Sequence, residues 1–187
     1  MPLLDTLVAW NRDATTEQGA QPLDLTPFAD ALPLVALTCI DPRLNAYLPS
    51  ALGLPAEQFI WLRNAGNVVT DAATGVLRSL ALACALKGGR EIAIIGHTDC
   101  AVRKTGMAEL TDRFRALGVP RENLPDDLVS FFGSFASERQ NVLKGVEHTR
   151  ASPLIGPRIP VHGLLIDVAT GRIEWIVNGY DALPGGV

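Results

Sequence analysis

Short runs of apolar residues, each ended by glycine, proline or a polar cluster, recur along the first half of the chain. Three of them, Leu34–Thr38, Glu57–Leu62 and Glu91–Ile95, have the length and composition of buried β-strands. Between the second and the third, Asp71–Lys87 carries apolar residues at helical spacing, including Leu86, and ends before a pair of glycines. This alternation of strand and helix predicts a parallel sheet with right-handed crossovers.

The segments on either side of the first strand are expected to be helical. Residues 1–31 predict an N-terminal helical arm followed by a polar loop. The apolar face of the arm could cover the core of its own chain or lie on a partner subunit. Arg43–Leu52 predicts a short helix, because the proline before it turns the chain out of the sheet.

The second half of the chain is predicted to complete one domain. Residues 101–150 are mostly helical in pattern, and Gly156–Pro160 predicts a rigid linker. Val161–Val168 and Arg172–Val177 predict a terminal hairpin. We therefore expect a single α/β domain over residues 1–187, with a central, mostly parallel sheet of four or five strands flanked by helices.

Composition narrows the class of protein. The 187 residues are 48% hydrophobic and 19% charged, which is typical of a globular chain, and the net charge of −4 disfavours nucleic acid or an anionic membrane as partner. No apolar run approaches the roughly 20 residues of a membrane helix, and no signal-like segment is present at the start. A cytoplasmic location is expected, where three reduced cysteines suit a metal better than disulfides.

The candidate chemistry lies where the first and third strands end. Cys39 directly follows one strand, and His97 and Cys100 follow the other. The carboxyl ends of parallel strands share one edge of a sheet, so these side chains are expected to meet there. Thiolate and imidazole ligands favour zinc. A single buried cysteine is more often a core residue, and only the two clusters together predict a zinc site.

Two further residues belong to the first cluster. Asp41 and Arg43 stand two positions apart on the turn after the first strand. They could form a bidentate ion pair, or Asp41 could complete the zinc shell as a fourth ligand. Two thiolates would make the zinc a weaker Lewis acid than one held by three histidines. A carboxylate fixed by Arg43 would compensate by orienting the nucleophile.

The pairing of Cys39-x-Asp41-x-Arg43 with His97-x-x-Cys100 resembles the β-class carbonic anhydrase family. Arg63-Asn64-Ala65-Gly66-Asn67 is similar to that family's loop after the second strand, and Gly163–Gly171 is similar to its terminal strand. The likeness extends from Pro33 to Val177.

The resemblance implies a zinc enzyme that interconverts carbon dioxide and bicarbonate by zinc-bound hydroxide. It implies that Asp41 and Arg43 act as a catalytic dyad and that Gly66 helps to shape the substrate pocket. It also implies a homodimer or a dimer of dimers, in which the N-terminal arm embraces the neighbouring subunit. The zinc ligands it implies are Cys39, His97 and Cys100.

Two other functions remain open at this stage. The same zinc site could hydrolyse carbonyl sulfide or carbon disulfide, which are linear isosteres of carbon dioxide. The chain could instead be a non-catalytic zinc-binding protein, in which Asp41 stays on the metal as a closing fourth ligand.

One position departs from the family pattern. Ala101 follows the second zinc cysteine, where the family usually has glycine. The added methyl group could alter the backbone approach to the metal, or it could be tolerated as the first residue of a helix.

Four other residues with reactive or polar side chains receive structural interpretations. Cys84 is expected in the core, and Asp99 is expected to bind backbone amides of its own turn. His148 is expected to be a solvated helix residue and His162 a surface or edge residue. Both histidines remain alternatives for a fourth zinc ligand or a proton shuttle.

Overall fold

The computed structural model describes residues 2–16, 21–70 and 74–183, and the predicted sheet is present in it. The spatial order of the strands is β2-β1-β3-β4-β5, with β1 to β4 parallel and β5 antiparallel to β4. The predicted α/β fold with a mostly parallel sheet and a terminal hairpin is confirmed. The strands are β1 (Leu34–Cys39), β2 (Phe59–Asn64), β3 (Ile92–His97), β4 (Val161–Ile166) and β5 (Ile173–Val177).

Helices occupy most of the connections between these strands. The start predicted for the third helix at Asp71 lies outside the described residues, and the region predicted as mostly helical contains four separate helices. None of the helices in the described ranges is long and apolar enough to cross a membrane. The helices are α1 (Leu3–Thr16), α2 (Leu44–Leu52), α3 (Thr74–Lys87), α4 (Ala101–Lys104), α5 (Met107–Ala116), α6 (Leu128–Phe132) and α7 (Glu138–Ala151).

The central strands are buried on both faces. In β1, Leu34 and Ala36 join the core that also contains α1 and α2. Their neighbours Val35 and Leu37 point to the opposite core, which contains residues of α3 and α7. Because both faces are covered, the first four residues of β1 are all apolar, and this explains why its sequence reads as a hydrophobic run up to Thr38.

The N-terminal arm packs against its own chain. Leu3, Leu4 and Leu7 of α1 are fully buried in the core beside α2. Asn11, further along α1, holds the helix in place, because its Nδ2 donates to the carbonyls of Ala51 and Gly171, both at 2.8 Å. The described part of the arm, α1, therefore covers the core of its own chain, and contact of the arm with a neighbouring subunit, which the resemblance implied, stays a prediction.

Three expectations for individual side chains are corrected. His162 is fully buried, because β4 lies between β3 and β5 and is not an edge strand. Leu86 is 71% exposed, since it follows Leu80 by six positions and so points about 120° away from the buried face. His148 is half-buried on α7 and is not a fully solvated residue. Cys84 is half-buried against the core on the α3 side.

Candidate metal centre

The metal-binding side chains meet at the carboxyl edge of the sheet. β1 pairs directly with β3 in parallel, so their last residues, Cys39 and His97, end side by side. Cys100 follows in the loop after β3. The sulfur atoms of the two cysteines and a ring nitrogen of His97 all lie within 4.8 Å of one another, and all three residues are buried. The structure therefore brings together the three residues that the sequence singled out.

His97 presents one free ring nitrogen to the sulfurs. Its Nδ1 lies 2.8 Å from the carbonyl oxygen of Thr98, which can only accept, so Nδ1 carries the hydrogen. Its Nε2 is buried and has no hydrogen-bond partner among the described residues. A buried nitrogen left bare beside two sulfurs is the arrangement of a metal ligand whose orientation is fixed by its other nitrogen. The donor set fits a zinc ion.

The two cysteine sulfurs shift each other's pKa values in opposite directions. The neighbouring Cys100 thiol lowers the pKa of Cys39 to about 4, and the nearby His97 ring and the N–H of Gly66 act in the same direction. The same contact raises the pKa of Cys100. Burial alone would lower the pKa of His97, but the neighbouring Cys39 thiolate outweighs it and raises that pKa. A dication arriving here would displace the remaining proton.

The residue after the second cysteine is accommodated in a helix. Cys100 is 1% exposed and immediately precedes α4, whose first residue is the exposed Ala101. The alanine that departs from the family pattern is therefore tolerated as the first helical residue, and its methyl group points to solvent.

Asp41 is bound by Arg43 on both of its carboxylate oxygens. Arg43 Nε donates to Oδ1 at 3.0 Å, Nη2 donates to Oδ2 at 2.8 Å, and the backbone N–H of Arg43 adds a bond to Oδ1 at 3.0 Å. These hydrogen bonds hold the pKa of Asp41 below its ordinary value. Of the two alternatives for Asp41, the ion pair is the one that the structure displays, and direct metal ligation remains a prediction.

Arg63 supports the same turn and was not singled out from the sequence except as part of the Arg63–Asn67 loop. Its Nε donates to the carbonyl of Cys39 at 3.0 Å, and its Nη2 donates to the carbonyl of Asp41 at 3.3 Å. A third bond joins Nη1 to the side chain of Asn45. One guanidinium thus fixes the backbone on both sides of the exposed Ile40.

Asp99 also has a role that sequence reasoning missed. It was expected to bind amides of its own turn, but its carboxylate pairs with Arg43 and Lys104. These two cations lower the pKa of Asp99 to about 2, with Lys104 the larger cause. The only signal in the sequence was an acidic residue placed inside the His97-x-x-Cys100 pair.

Gly66 closes the site from the β2 side. Its N–H donates to the Cys39 sulfur at 3.3 Å, and its carbonyl accepts from Asn141 Nδ2 at 2.8 Å. Its φ is +75°, and a Cβ added here would lie 2.8 Å from a ring carbon of Phe135. Only glycine fits this left-handed, crowded position. A role for Gly66 in shaping a substrate pocket remains a prediction.

Comparison with known proteins now decides the family. The family profile described as carbonic anhydrase matches residues 34–173. The chain belongs to the carbonic anhydrase family. Beta-carbonic anhydrase 1 of Mycobacterium tuberculosis is 32% identical, over 93% of this chain and 98% of that protein. The crystal structure of beta-carbonic anhydrase isoform I (TvaCA1) of Trichomonas vaginalis superposes with a TM-score of 0.74 at 28% identity, covering 96% of this chain and 100% of that one. The predicted resemblance to the β class is confirmed.

Carbon disulfide hydrolases are also among the relatives of this carbonic anhydrase family chain. The carbon disulfide hydrolase of Acidianus sp. is 29% identical, over 75% of this chain and 76% of that protein. Membership of the family therefore does not by itself distinguish carbon dioxide from carbon disulfide as the substrate.

Proposed function

We propose that this chain is a zinc-dependent carbonic anhydrase that catalyses the reversible hydration of carbon dioxide to bicarbonate. The observation that carries the proposal is the buried group of Cys39, His97 and Cys100 next to the Asp41–Arg43 pair. The family to which the chain belongs supports it. Zinc held by these three side chains would supply the Lewis acidity that makes water a nucleophile near neutral pH.

The side chains around the metal position have separate tasks. Cys39 and Cys100, as thiolates, would cancel the charge of the zinc, so water here would keep a higher pKa than at a site of three neutral histidines. A hydrogen-bond acceptor beside that water therefore matters more. Asp41 is this acceptor, because its lowered pKa keeps it ionised and an ionised carboxylate can only accept. Arg43 holds both of its oxygens and so fixes its direction.

A second candidate is the hydrolysis of carbon disulfide or carbonyl sulfide at the same site. The relationship to the Acidianus enzyme favours it. The same nucleophile would attack the central carbon of these molecules. The shape of the substrate pocket would decide between the candidates, so the substrates must be compared directly on one protein.

The test is a zinc assay combined with stopped-flow hydration of carbon dioxide on the wild type and on Asp41→Asn. We expect about one zinc per chain, hydration above background, and an Asp41→Asn variant that keeps its zinc but is at least about 10-fold slower. Asp112→Asn removes an exposed carboxylate from an ion pair within α5 and serves as the control.

The same assay with carbonyl sulfide and carbon disulfide ranks the substrates. If either sulfur compound is turned over faster than carbon dioxide, that compound is the preferred substrate and the proposed carbonic anhydrase activity is replaced by its hydrolysis. Zinc without turnover of any of the three gases would leave a non-catalytic zinc-binding protein, and a protein without zinc would refute the proposed metal.

We also propose that the chain assembles as a homodimer or a dimer of dimers in the cytoplasm. β5 is an edge strand with half-buried side chains, and Ile40, beside the site, is 59% exposed. An exposed strand edge and an exposed apolar residue are both satisfied by a second subunit. The three free cysteines support a reducing compartment. Light scattering on the purified protein measures the assembly directly.

A further inference from the structure

The guanidinium of Arg43 is shared between two carboxylates. Its Nε and Nη2 are used on Asp41, while Nη1 donates to Asp99 Oδ2 at 2.9 Å. Nη2 also donates to the backbone carbonyl of Asp99 at 3.2 Å. Every nitrogen of the guanidinium is therefore engaged. Arg43 cannot rotate about its side chain without losing a contact to one of the two aspartates.

This sharing ties together the two loops that carry the proposed metal ligands. Asp41 and Arg43 belong to the loop after β1, which begins at Cys39. Asp99 lies in the loop after β3, between His97 and Cys100. The other carboxylate oxygen of Asp99 binds Lys104 at the end of α4, so Asp99 is held from both sides.

The backbone of Asp99 shows that the position is unusual for a residue with a side chain. Its φ is +60°, in the left-handed region that favours glycine. Asparagine and aspartate are the residues other than glycine that tolerate this region best. Glycine would fit the backbone more easily but would offer Arg43 no carboxylate.

We propose that Asp99 is a positioning residue for the proposed reaction: by fixing the Arg43 guanidinium, it fixes the direction of the Asp41 carboxylate at the metal centre. The effect on turnover rests on the proposed function, but the positioning of Arg43 by Asp99 does not. The side chains of Arg43 and Asp99 are 46% and 44% exposed. An ion pair so exposed contributes little to stability, so an effect of its removal on turnover would not come from unfolding.

The first test measures turnover and zinc in Asp99→Gly and Asp99→Asn. Glycine accepts the left-handed backbone and removes the carboxylate, so we expect kcat to fall about 10-fold with KM within 2-fold and zinc unchanged. Asparagine tolerates the same backbone and keeps an acceptor for Arg43, so it is expected to restore part of kcat. Asp112→Asn, which breaks an exposed ion pair elsewhere, should match the wild type.

The second test observes Arg43 itself and needs no activity. In ¹⁵N-labelled protein, the Nε–H of Arg43 is expected to exchange with water at least 10-fold faster in Asp99→Gly than in the wild type. The Nε–H of Arg63, which donates to the Cys39 carbonyl, is the internal control and should not change.

The outcomes separate this inference from the proposed function. If the wild type hydrates no gas, the proposed function fails, while faster exchange at Arg43 alone in Asp99→Gly still supports the positioning of Arg43 by Asp99. Unchanged exchange at Arg43 overturns the inference. A kcat within 2-fold of wild type overturns it as well, and so does loss of zinc from Asp99→Gly, because Asp99 would then act on the ligand loop and not through Arg43.

Discussion

A buried polar cluster lies at each end of β3, and the two clusters differ in whether they favour charged or neutral side chains. At its carboxyl end, His97 meets two cysteines, and the bare Nε2 of the histidine faces their sulfurs. At its amino end, Glu91 accepts a hydrogen bond from the Tyr180 hydroxyl at 2.7 Å, and His162 Nε2 lies 3.8 Å from the same carboxylate oxygen. Both clusters are almost inaccessible to solvent.

Their pKa values show the difference. At the carboxyl end, neighbouring donors lower the pKa of Cys39 to about 4, so an anion is favoured there. At the amino end, burial raises the pKa of Glu91 to about 7 and lowers that of His162 to about 3, so neutral forms are favoured. The charge of Asp5 on α1 also raises the pKa of Glu91, and the charge of Arg150 on α7 also lowers the pKa of His162.

The contrast teaches which buried polar cluster is suited to chemistry. The carboxyl-end cluster leaves a nitrogen unused and stabilises negative charge, which is what a cation requires. At the amino end, His162 Nε2 also has no hydrogen-bond partner among the described residues, but its neighbour is a single carboxyl group whose neutral form is favoured. This cluster joins α1 to the sheet, since the N–H of Leu4 donates to the Tyr180 hydroxyl at 3.1 Å. We interpret the carboxyl-end cluster as a metal-binding site and the amino-end cluster as a structural contact between α1 and the sheet.

The largest effect should follow from removing a proposed ligand at the carboxyl end. His97→Ala is expected to weaken zinc binding by more than about 100-fold and to reduce gas hydration to background. Metal analysis after dialysis and stopped-flow kinetics measure the two losses. Cys84→Ser, which alters a half-buried thiol on α3, is the matched control and should keep both. A His97→Ala protein with its full zinc content would remove the basis for the site.

The next largest effect concerns the amino end and depends on pH. The folded protein favours protonated Glu91, so it binds more protons than the unfolded chain between the ordinary pKa of 4.5 and about 7. The contribution of Glu91 to stability is therefore fully present below pH 4.5 and is lost as pH rises to about 7. Glu91→Gln should raise the free energy of unfolding at pH 8 by up to about 3 kcal/mol relative to the wild type, and by little at pH 4.5.

Urea unfolding at a series of pH values tests this prediction. Glutamine is a good replacement, because its side-chain oxygen can take the place of Glu91 Oε2, where it accepts from Tyr180 and faces His162 Nε2. The exposed Glu109→Gln is the control and should follow the wild type. Parallel stability curves for Glu91→Gln and wild type from pH 4.5 to 8 would refute a titrating Glu91.

A smaller effect is expected where the carboxyl end of β3 packs on α7. A Cβ at Gly96 would lie 2.5 Å from a methyl group of Val142 and 3.3 Å from one of Leu165. Gly96→Ala should therefore lower the free energy of unfolding by about 2 kcal/mol. Gly75→Ala is the matched control, since nothing lies within 4 Å of its added methyl group and alanine favours a helix. Equal effects of the two substitutions would show that the close approach of β3 and α7 is not required.

The smallest effect on stability is expected from removing the Tyr180 hydroxyl, which accepts a hydrogen bond from α1. Tyr180→Phe removes the donor to Glu91 and leaves the N–H of Leu4 without this acceptor, which should cost about 1 kcal/mol. The cost should be greater at pH 8, where Glu91 is ionised, than at pH 5. Thermal unfolding at both pH values gives the difference, and amide exchange at Leu4 should be faster in the variant. Tyr47→Phe, at the other tyrosine, should show no such pH dependence.

Local pattern was sufficient to predict the elements that are buried on both faces or strongly periodic. The strands β1, β2 and β3 lie within two residues of their predicted bounds, because a covered parallel strand must be apolar throughout. The proximity of Cys39 and His97 followed from the rule that parallel strands end at one edge. To predict these features it was enough that β1 and β3 are parallel strands of one sheet; the positions of β4 and β5 were not needed.

Residues whose environment depends on distant neighbours were not predictable in this way. His162 seemed to lie on a surface hairpin, but β3 pairs with β4 on its other side and buries it. Glu91 was predicted as the first residue of the third strand, but nothing near it in the sequence indicates that Tyr180, 89 positions later, donates to its carboxylate. The contact of Asp99 with Arg43 depends on a left-handed backbone and on the distance between two loops. Local sequence does not encode these long-range arrangements.

X-ray absorption at the zinc edge of the purified, zinc-loaded wild type tests the central claim most directly. We expect two sulfur neighbours at about 2.3 Å and the remaining neighbours nitrogen or oxygen at about 2.0–2.1 Å, as Cys39, Cys100 and His97 would give. A first shell without sulfur, or with only one, would contradict a metal held between the ends of β1 and β3.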